Sequence, residues 1–144
     1  MAQRPLLDAC LIVRDESADL PRALASLAAL RPLLSRICVY DTGSMDDTVA
    51  LAQAAGAQVE LGYWDDDFSR ARNASLDLSG AVWALTIDAD EEAVVDLAAL
   101  TELLAQDHDS DVLCLDQVHV DADGRELGRN PYLKILRTDT VRFT

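Results

Sequence analysis

The chain has 144 residues, half of them hydrophobic, and it carries 12 basic against 26 acidic residues, a net charge of −14. This composition is typical of one globular domain and excludes a disordered chain. The negative charge argues against non-specific nucleic-acid binding, which requires a basic surface. No apolar stretch is long enough to span a bilayer, and the first residues are a poor secretory signal. We therefore expect a single domain over residues 1–144, located in the cytoplasm.

The first half of the chain alternates apolar runs with helical periodicity. Residues 6–13 form a nearly continuous apolar run, as in a strand buried on both faces. Apolar side chains then recur at helical spacing from Leu20, with Asp19 as the expected cap and Pro21 in the first turn. Residues 36–40 are predicted to form the second strand.

The same alternation continues to the C-terminal part of the chain. Further helices are predicted at 46–55, 68–78 and 95–104, and further strands at 57–61, 81–87, 111–120, 125–127 and 132–136. Strands that alternate with helices indicate a mostly parallel sheet with right-handed crossovers. The last strands are expected to add an antiparallel hairpin to it.

The cysteines and histidines carry no recognisable metal motif. Cys10, Cys38 and Cys114 are far apart, lie in apolar runs that are typical of strands and form no pair with zinc spacing. We predict buried thiols in a reducing compartment. His108 and His119 are predicted to be solvent-facing or edge residues.

Acidic residues follow three of the first four predicted strands. Glu16 comes after the first, Asp41 after the second, and Asp88 and Asp90 after the fourth. Because ligands of open α/β sheets bind beyond the carboxyl ends of the strands, these side chains are candidates for a common site.

The triplet Asp88-Ala89-Asp90 is a candidate metal-binding element. In an extended segment its two carboxylates would point the same way, with Cα atoms roughly 6.5 Å apart. Such a pair can hold Mg²⁺ or Mn²⁺, whose other positions are left to substrate phosphates and water. Taken alone, the triplet is a weak signal, because an acidic turn that caps the next helix is the more common explanation of such a sequence.

Two further segments allow either a structural or a binding role. Asp41-Thr-Gly-Ser can be a plain strand–turn–helix junction, or its carboxylate can accept a hydrogen bond from a nucleobase N–H. Downstream, Arg70 and Arg72 stand out in an acid-rich chain. They can bind diphosphate oxygens, or they can pair with residues 65–67 at the start of their own helix.

Together these segments carry a family resemblance. The runs LIVRDESADLPRALASL, ICVYDTGSMDDTVALAQAAGAQV and WDDDFSRARNASLDLSGAVWALTIDADEE resemble glycosyltransferase family 2, in particular a bacterial subgroup with DTGSxD, DDFSxARN and DADE motifs. The similarity extends over about residues 7–104, and residues 132–137, followed by residues 141–143, resemble the strand pair that follows in this subgroup. The resemblance implies a GT-A fold, which is a Rossmann-like three-layer α/β fold with a mostly parallel central sheet and a C-terminal antiparallel hairpin.

The resemblance also implies a function. The donor would be a nucleotide-diphosphate sugar, with uridine as the default base, the cofactor Mg²⁺ or Mn²⁺, and the acceptor an unknown glycan, lipid or protein. Members of the family generally invert the anomeric centre. The implied contacts are Val13, Arg14 and Glu16 in the base pocket, Asp41 on the base, Arg72 on the nucleotide or its diphosphate, and Asp88 and Asp90 at the metal, with Asp90 as the direct ligand.

The chain departs from the family pattern at two places. The family usually has Asn-Glu after the first strand, where this chain has Asp15-Glu16. After Thr144 the subgroup usually continues into a His-Glu segment and further helices. We therefore expect a domain truncated before most of the acceptor half, without an assigned catalytic base; Glu91 is a candidate. The alternative is a catalytically silent donor-binding fragment or pseudo-enzyme that acts through a partner.

Three other protein classes fit the motifs less well. A sugar-phosphate nucleotidyltransferase needs a glycine-rich basic loop after its first strand, where this chain has Val13-Arg14-Asp15-Glu16. A phosphatase with an aspartate nucleophile carries its DxD motif after the first strand and not the fourth. A receiver domain needs a lysine at a strand end, and the only lysine, Lys134, is predicted to lie within a strand.

Overall fold

Strands and helices alternate along the chain as the periodicity predicts, in a computed structural model that describes residues 3–106 and 109–144. Its strands are β1 (Leu7–Val13), β2 (Leu34–Asp41), β3 (Gln58–Leu61), β4 (Trp83–Thr86), β5 (Val112–Val120) and β6 (Glu126–Arg137). Its helices are α1 (Leu20–Ala28), α2 (Thr48–Ala54), α3 (Phe68–Asp77) and α4 (Leu97–Ala105).

All six strands belong to one sheet, in the order β3-β2-β1-β4-β6-β5. The first four are parallel, and β6 and β5 are antiparallel additions, which confirms the mostly parallel α/β sheet with a C-terminal hairpin. β1 lies between β2 and β4, so the chain leaves β1 in one direction and later returns on its other side. This reversal of strand order is where ligands of open α/β sheets bind.

The sheet is covered on both faces, which makes three layers. On one face the buried apolar side chains of α1, α2 and α4 pack against alternate residues of β1, including Leu7 and Leu11. On the other face Leu76 of α3 packs with Cys10, Cys38 and the C-terminal segment. Helices on both faces explain why the central parallel strands β1 and β4 are buried in nearly every position.

The buried carboxylate of Asp8 ties β1 to the connection between α3 and β4. Asp8 is 1% exposed. Its Oδ2 accepts hydrogen bonds from the Ser79 hydroxyl at 2.8 Å and from the N–H groups of Gly80 and Ala81 at 3.0 and 3.2 Å. These three donors compensate for the burial of Oδ2, whereas Oδ1 of Asp8 is buried without a partner among the described residues.

The C-terminal part of the sheet differs from the prediction. The two short strands expected at 125–127 and 132–136 are one continuous strand, β6, which runs through Pro131. Proline is acceptable there because β6 pairs with β4 only at residues 135–137. The earlier part of β6, which contains Pro131, pairs with β5 on one side and has no strand on the other. The fourth strand is also shorter than predicted, since pairing begins at Trp83 and ends at Thr86.

Some smaller predictions were confirmed and others were wrong. Cys10 and Cys38 are buried, and a hydrogen bond between them together with burial raises the pKa of the Cys10 thiol. Cys114 is exposed on β5, against the prediction, because it lies in the outer hairpin beyond the core. The Asp19 side chain does not cap α1 and instead pairs with Arg22.

His119 is exposed on β5 as predicted, and His108 lies outside the described residues. Within the described ranges, none of the helices has the length and apolar character needed to cross a bilayer.

Candidate donor site

The carboxyl ends of β1, β2 and β4 meet at one edge of the sheet, which we call the carboxyl edge. Val13, the last residue of β1, pairs in register with Asp41, the last residue of β2. On the other side of β1, Cys10 pairs with Thr86 of β4, so Asp88 begins the loop beyond β4 at nearly the same level. The residues predicted to bind the nucleotide sugar therefore lie along one edge of the sheet. β1 separates Asp41 from the DxD segment.

Asp41 is a buried carboxylate, and only one of its two oxygens accepts hydrogen bonds from described residues. It is 3% exposed, and its Oδ2 accepts the N–H groups of Gly43 and Ser44 at 3.1 and 3.0 Å. Gly43 has a φ of +119°, which favours glycine at the turn. The other oxygen, Oδ1, is buried without a partner among the described residues. A buried carboxylate oxygen left unpaired is suited to accepting a ligand N–H.

Asp15 links the loop after β1 to the loop after β2. Its backbone has a φ of +51°, a left-handed conformation in which Asn and Asp are enriched among non-glycine residues. Its Oδ1 accepts the N–H groups of Met45 and Asp46 at 2.7 and 3.3 Å, and its own N–H donates to the Ser44 hydroxyl. Asn would provide the same acceptor oxygen, so replacing the usual Asn with Asp15 preserves this geometry.

A second set of bonds closes the same pair of loops. The Glu16 N–H donates to the Thr48 hydroxyl at 2.8 Å, and the Ser17 N–H donates to Asp46 at 3.2 Å. Asp46 also accepts from the hydroxyl and the N–H of Thr48, and these bonds lower the pKa of its carboxyl to about 2.

Glu16 faces other carboxylates across the end of β1. Burial raises the pKa of its carboxyl first, and the negative charges of Asp90, Asp19 and Asp88 raise it further. Glu16 after β1 and the DxD segment after β4 are therefore close enough to repel each other. This local excess of negative charge is what a bound cation would relieve.

The DxD segment is a turn and not the extended segment we expected. The Glu91 N–H donates to the Asp88 carbonyl at 3.0 Å, which closes a four-residue turn around Ala89 and Asp90. Ala89 is buried, whereas both aspartates are exposed. Because the chain bends here, the period-two rule does not set the directions of the two carboxylates. Asp90 makes no hydrogen bond or ion pair within the described ranges.

The two arginines of α3 have separate partners. Arg70 pairs with Asp65 at 2.9 Å, donates to the Tyr40 hydroxyl at 3.0 Å and lies 3.9 Å from the centre of the Tyr63 ring. Arg70 thus pairs with a residue at the start of its own helix, which was the structural one of its two possible roles. Asp67 caps α3 by accepting the N–H of Arg70.

Arg72 instead points to the carboxyl edge. Its Nη2 donates to Asp88 Oδ1 at 3.0 Å, while its Nη1 is buried with no partner in the described parts of the chain. An arginine with one nitrogen held and another unpaired can offer the free N–H groups to an anionic ligand.

The carboxylate of Glu91 is fully engaged. Oε2 accepts the Asp88 N–H at 2.9 Å and the Lys134 ammonium at 2.6 Å, and Oε1 accepts Lys134 at 2.8 Å together with the Gln117 amide. A carboxylate offers about four lone-pair sites. These four bonds argue against Glu91 as the general base.

Val13 and Arg14 differ in their availability. The Val13 side chain is buried in the core and its carbonyl accepts Thr42, so Val13 shapes the edge through its backbone. Arg14 is exposed and makes no hydrogen bond or ion pair with any described residue.

A cavity of about 410 Å³ lies between the DxD turn and the hairpin. Its lining residues are Arg72, Thr86, Asp88, Cys114, Pro131, Tyr132, Leu133, Lys134 and Phe143. Sequence reasoning missed the contribution of the hairpin. One signal was available, since Lys134 is the only lysine in the chain, but nothing in the sequence identifies its partner.

The two carboxylates of the DxD turn are suited to a divalent cation that takes its other ligands from a substrate and water. Among the residues that the structure describes, there is no group of three His, Cys, Asp or Glu side chains arranged to hold a metal by themselves. Mg²⁺ typically uses one or two carboxylates and takes its other ligands from substrate phosphates and water. Asp88 and Asp90, exposed at the carboxyl edge, meet that requirement.

This fold and edge define a GT-A domain of the nucleotide-diphospho-sugar transferase type. The chain belongs to the family described as Glycosyl transferase family 2, whose sequence profile matches residues 8–143. Among solved structures, glucosyl-3-phosphoglycerate synthase from Mycobacterium tuberculosis in complex with Mn²⁺ and uridine-diphosphate-glucose is 26% identical, with a TM-score of 0.53 over 60% of this chain and 33% of that one.

Two relatives give the extent of the similarity. A TPR repeat-containing protein of Synechococcus elongatus is 39% identical over 128 residues, which are 89% of this chain and 30% of that protein. An uncharacterized glycosyltransferase of Rickettsia felis is 31% identical over 105 residues, 73% of this chain and 36% of that protein. The chain thus spans about a third of the length of these relatives.

Proposed function

We propose that this domain binds a nucleotide-diphosphate sugar, with a UDP-sugar first, and serves a metal-dependent inverting glycosyl transfer. The main observation behind the proposal is that Asp41 has a buried carboxylate oxygen without a partner among the described residues, on the same edge of the sheet as the DxD turn. The complex of the mycobacterial synthase with Mn²⁺ and UDP-glucose supports this choice of donor. A cytoplasmic location stays a prediction.

Each residue has a role that its surroundings suit. Asp41 Oδ1 accepts an N–H of the base, and the bonds from Gly43 and Ser44 hold the carboxylate in place. Arg72 offers its unpaired Nη1 to a diphosphate oxygen while Asp88 keeps the guanidinium oriented. Asp88 and Asp90 would hold the cation, which supplies positive charge against the departing diphosphate. Val13, Arg14 and Glu16 border the base pocket.

The acceptor is a glycan, lipid or protein of unassigned identity, and the cavity beside the turn is the space through which it would approach. A general base must have a lone pair free for the acceptor hydroxyl. In the described lining the one carboxylate is Asp88, and Arg72 pairs with it. This observation favours a second candidate function, a donor-binding module that does not transfer sugar by itself.

Donor binding is tested by a thermal-shift panel of UDP, GDP and dTDP with and without Mn²⁺. A ligand at 100 times its Kd stabilises the native state by about 2.7 kcal/mol, which raises Tm by roughly 5–10 °C. We expect one nucleotide to give this shift only with Mn²⁺, and Asp90→Asn to remove it.

The control is Asp123→Asn, the same chemical change in the exposed turn between β5 and β6, which should leave the shift intact. If no nucleotide stabilises the wild-type chain under any metal condition, the donor site is wrong. The two candidate functions are then separated by the hydrolysis or transfer of a labelled UDP-sugar. A silent module binds the donor and releases no sugar.

A further inference from the structure

We propose that Lys134 is a positioning residue for the donor site, because it acts through Glu91 to fix the turn that carries Asp88 and Asp90. The inference rests on the proposed function, which gives that turn its role. It assigns an indirect part in donor binding to the hairpin, which presents Lys134 from 43 positions beyond Glu91.

The turn is closed by two reciprocal bonds between its first and last residues. The Glu91 N–H donates to the Asp88 carbonyl at 3.0 Å, and the Asp88 N–H donates to Glu91 Oε2 at 2.9 Å. The second bond exists only while the Glu91 carboxylate points back across the turn. The orientation of that side chain therefore decides the geometry of the segment between Asp88 and Glu91.

Lys134 holds the Glu91 carboxylate in that orientation. The ammonium contacts both oxygens at 2.8 and 2.6 Å, and the Gln117 amide donates to Oε1 from β5. The two charged side chains are 11% and 17% exposed, so they are partly removed from water and each one compensates the other. Removing one partner of such a pair leaves an uncompensated charge, which drives the other side chain out toward solvent.

The hairpin presents Lys134 from a fixed position. The Thr86 hydroxyl at the end of β4 donates to the Lys134 carbonyl at 3.1 Å, and the next residue, Ile135, pairs with Leu85 of β4. The ammonium also lies 5.1 Å from the centre of the Tyr132 ring. The backbone around Lys134 is thus bonded to β4, the strand that precedes the turn. Contacts therefore run from β4 through Lys134 to Glu91 in the turn.

The test measures Mn²⁺-dependent UDP binding by the full chain, with wild type and Lys134→Met titrated side by side in a calorimeter. Loss of a group that orients a metal ligand typically costs about 10–100-fold in metal affinity. We expect the apparent Kd for Mn²⁺ at saturating UDP to rise by at least about 10-fold. Lys134→Arg, which restores a cation, should recover most of the affinity.

Arg129→Met is the matched control. It removes an ion pair with Glu126 and Asp116 from the same hairpin without contact with the turn, and it should change the Kd by less than about twofold. If Lys134→Met does not fold, Glu91→Gln provides the same test, since it keeps an acceptor for the Asp88 N–H and loses the charge that Lys134 holds.

The outcomes separate the two proposals. Wild-type binding that Lys134→Met or Glu91→Gln leaves unchanged overturns the positioning role and leaves the donor site standing. An equal loss in Lys134→Met and Arg129→Met assigns the effect to general hairpin stability and also overturns it. No Mn²⁺-dependent UDP binding by wild type overturns both proposals together.

Discussion

The two sides of the carboxyl edge are built in different ways. Residues 14–17 and 42–48, which lie where we propose the base binds and are called the base-side loops, are held mostly by backbone N–H groups that donate to short side chains, as in the bonds to Asp15 and Asp41. Residues 88–91, where we propose the metal binds, are called the metal-side turn. Besides the two bonds between Asp88 and Glu91, this turn is held by long side chains from distant segments, namely Arg72, Gln117 and Lys134.

The two sides therefore depend on different kinds of contact. Backbone groups in connected loops have little freedom to lose, so the base-side loops are organised before any ligand arrives. The metal-side turn keeps its geometry only while the long side chains that hold Asp88 and Glu91 stay paired. We therefore expect substitutions on the base side to cost stability, and substitutions on the metal side to cost affinity.

Asp41 gives the sharpest test of the base side. Asp41→Ala leaves the N–H groups of Gly43 and Ser44 without their acceptor and should lower the free energy of unfolding by about 2–3 kcal/mol. Asp41→Asn keeps an acceptor for both groups and should cost less than about 1 kcal/mol. Urea denaturation measures both values.

The same pair of variants separates structure from binding. Asp41→Asn places an amide donor at the position of Oδ1, which we propose accepts an N–H of the base, so nucleotide binding should be lost in a chain that is still stable. Equal nucleotide affinity in Asp41→Asn and wild type would show that Oδ1 has no part in binding.

Arg72 is expected to behave in the opposite way. Arg72→Met keeps much of the apolar stem and removes the proposed hydrogen-bond donor to the diphosphate, so UDP affinity should fall on the order of 10-fold. The free energy of unfolding should change by less than about 0.5 kcal/mol, because the lost ion pair involves a half-exposed Asp88. Arg142→Met, which removes the exposed pair with Asp77, is the control for both measurements. A large loss of stability without a loss of affinity would reverse the distinction between the two sides.

Asp15 tests the link between the two base-side loops. Asp15→Ala loses the acceptor for Met45 and Asp46 and also places alanine at a positive φ, so it should cost at least about 1 kcal/mol. Asp15→Asn keeps that acceptor and should be nearly neutral, as the common Asn of the family suggests. Chemical denaturation of both variants distinguishes the acceptor from the charge, since a costly Asp15→Asn would assign the effect to the charge.

The smallest expected effect concerns pH. The hydrogen bonds from Thr48, and after them those from Ser17, lower the pKa of the Asp46 carboxyl to about 2 from its usual 3.8. Because the folded-state pKa is the lower one, the stabilisation is present above about pH 4 and is lost as the pH falls toward about 2. Carboxyl NMR titration measures this pKa directly. In Thr48→Val it should move back toward 3.8, and an unchanged value would remove the hydroxyl as its cause.

Much of the fold and of the base side could be predicted from the sequence. Apolar runs separated by helical periodicity predicted the order of strands and helices along the chain, and the strand-end rule predicted a common edge for Asp41 and Asp88. These inferences depend on local patterns and on general topology, which a single sequence contains.

The metal side was harder to predict because its geometry depends on distant contacts. Period-two alternation suggested an extended DxD segment, whereas the reciprocal bonds between Asp88 and Glu91 bend it into a turn. Lys134 was interpreted only as a residue within a strand, since its pairing with Glu91 depends on how β6 docks beside β4. The different partners of Arg70 and Arg72, which are Asp65 and Asp88, likewise depend on the folded structure and could not be predicted from the sequence.

The position of β1 has a consequence for how the chain is made. One of its neighbours, β2, follows soon after it, but the other, β4, arrives much later, and Asp8 finds its Gly80 partner 72 positions downstream. A nascent chain leaving the ribosome therefore carries an apolar strand with one open edge until Trp83–Thr86 has emerged. Pairing across such a distance is slow and leaves a surface on which aggregation can begin. We expect this domain to depend on chaperones during synthesis more than an all-helical domain of the same size.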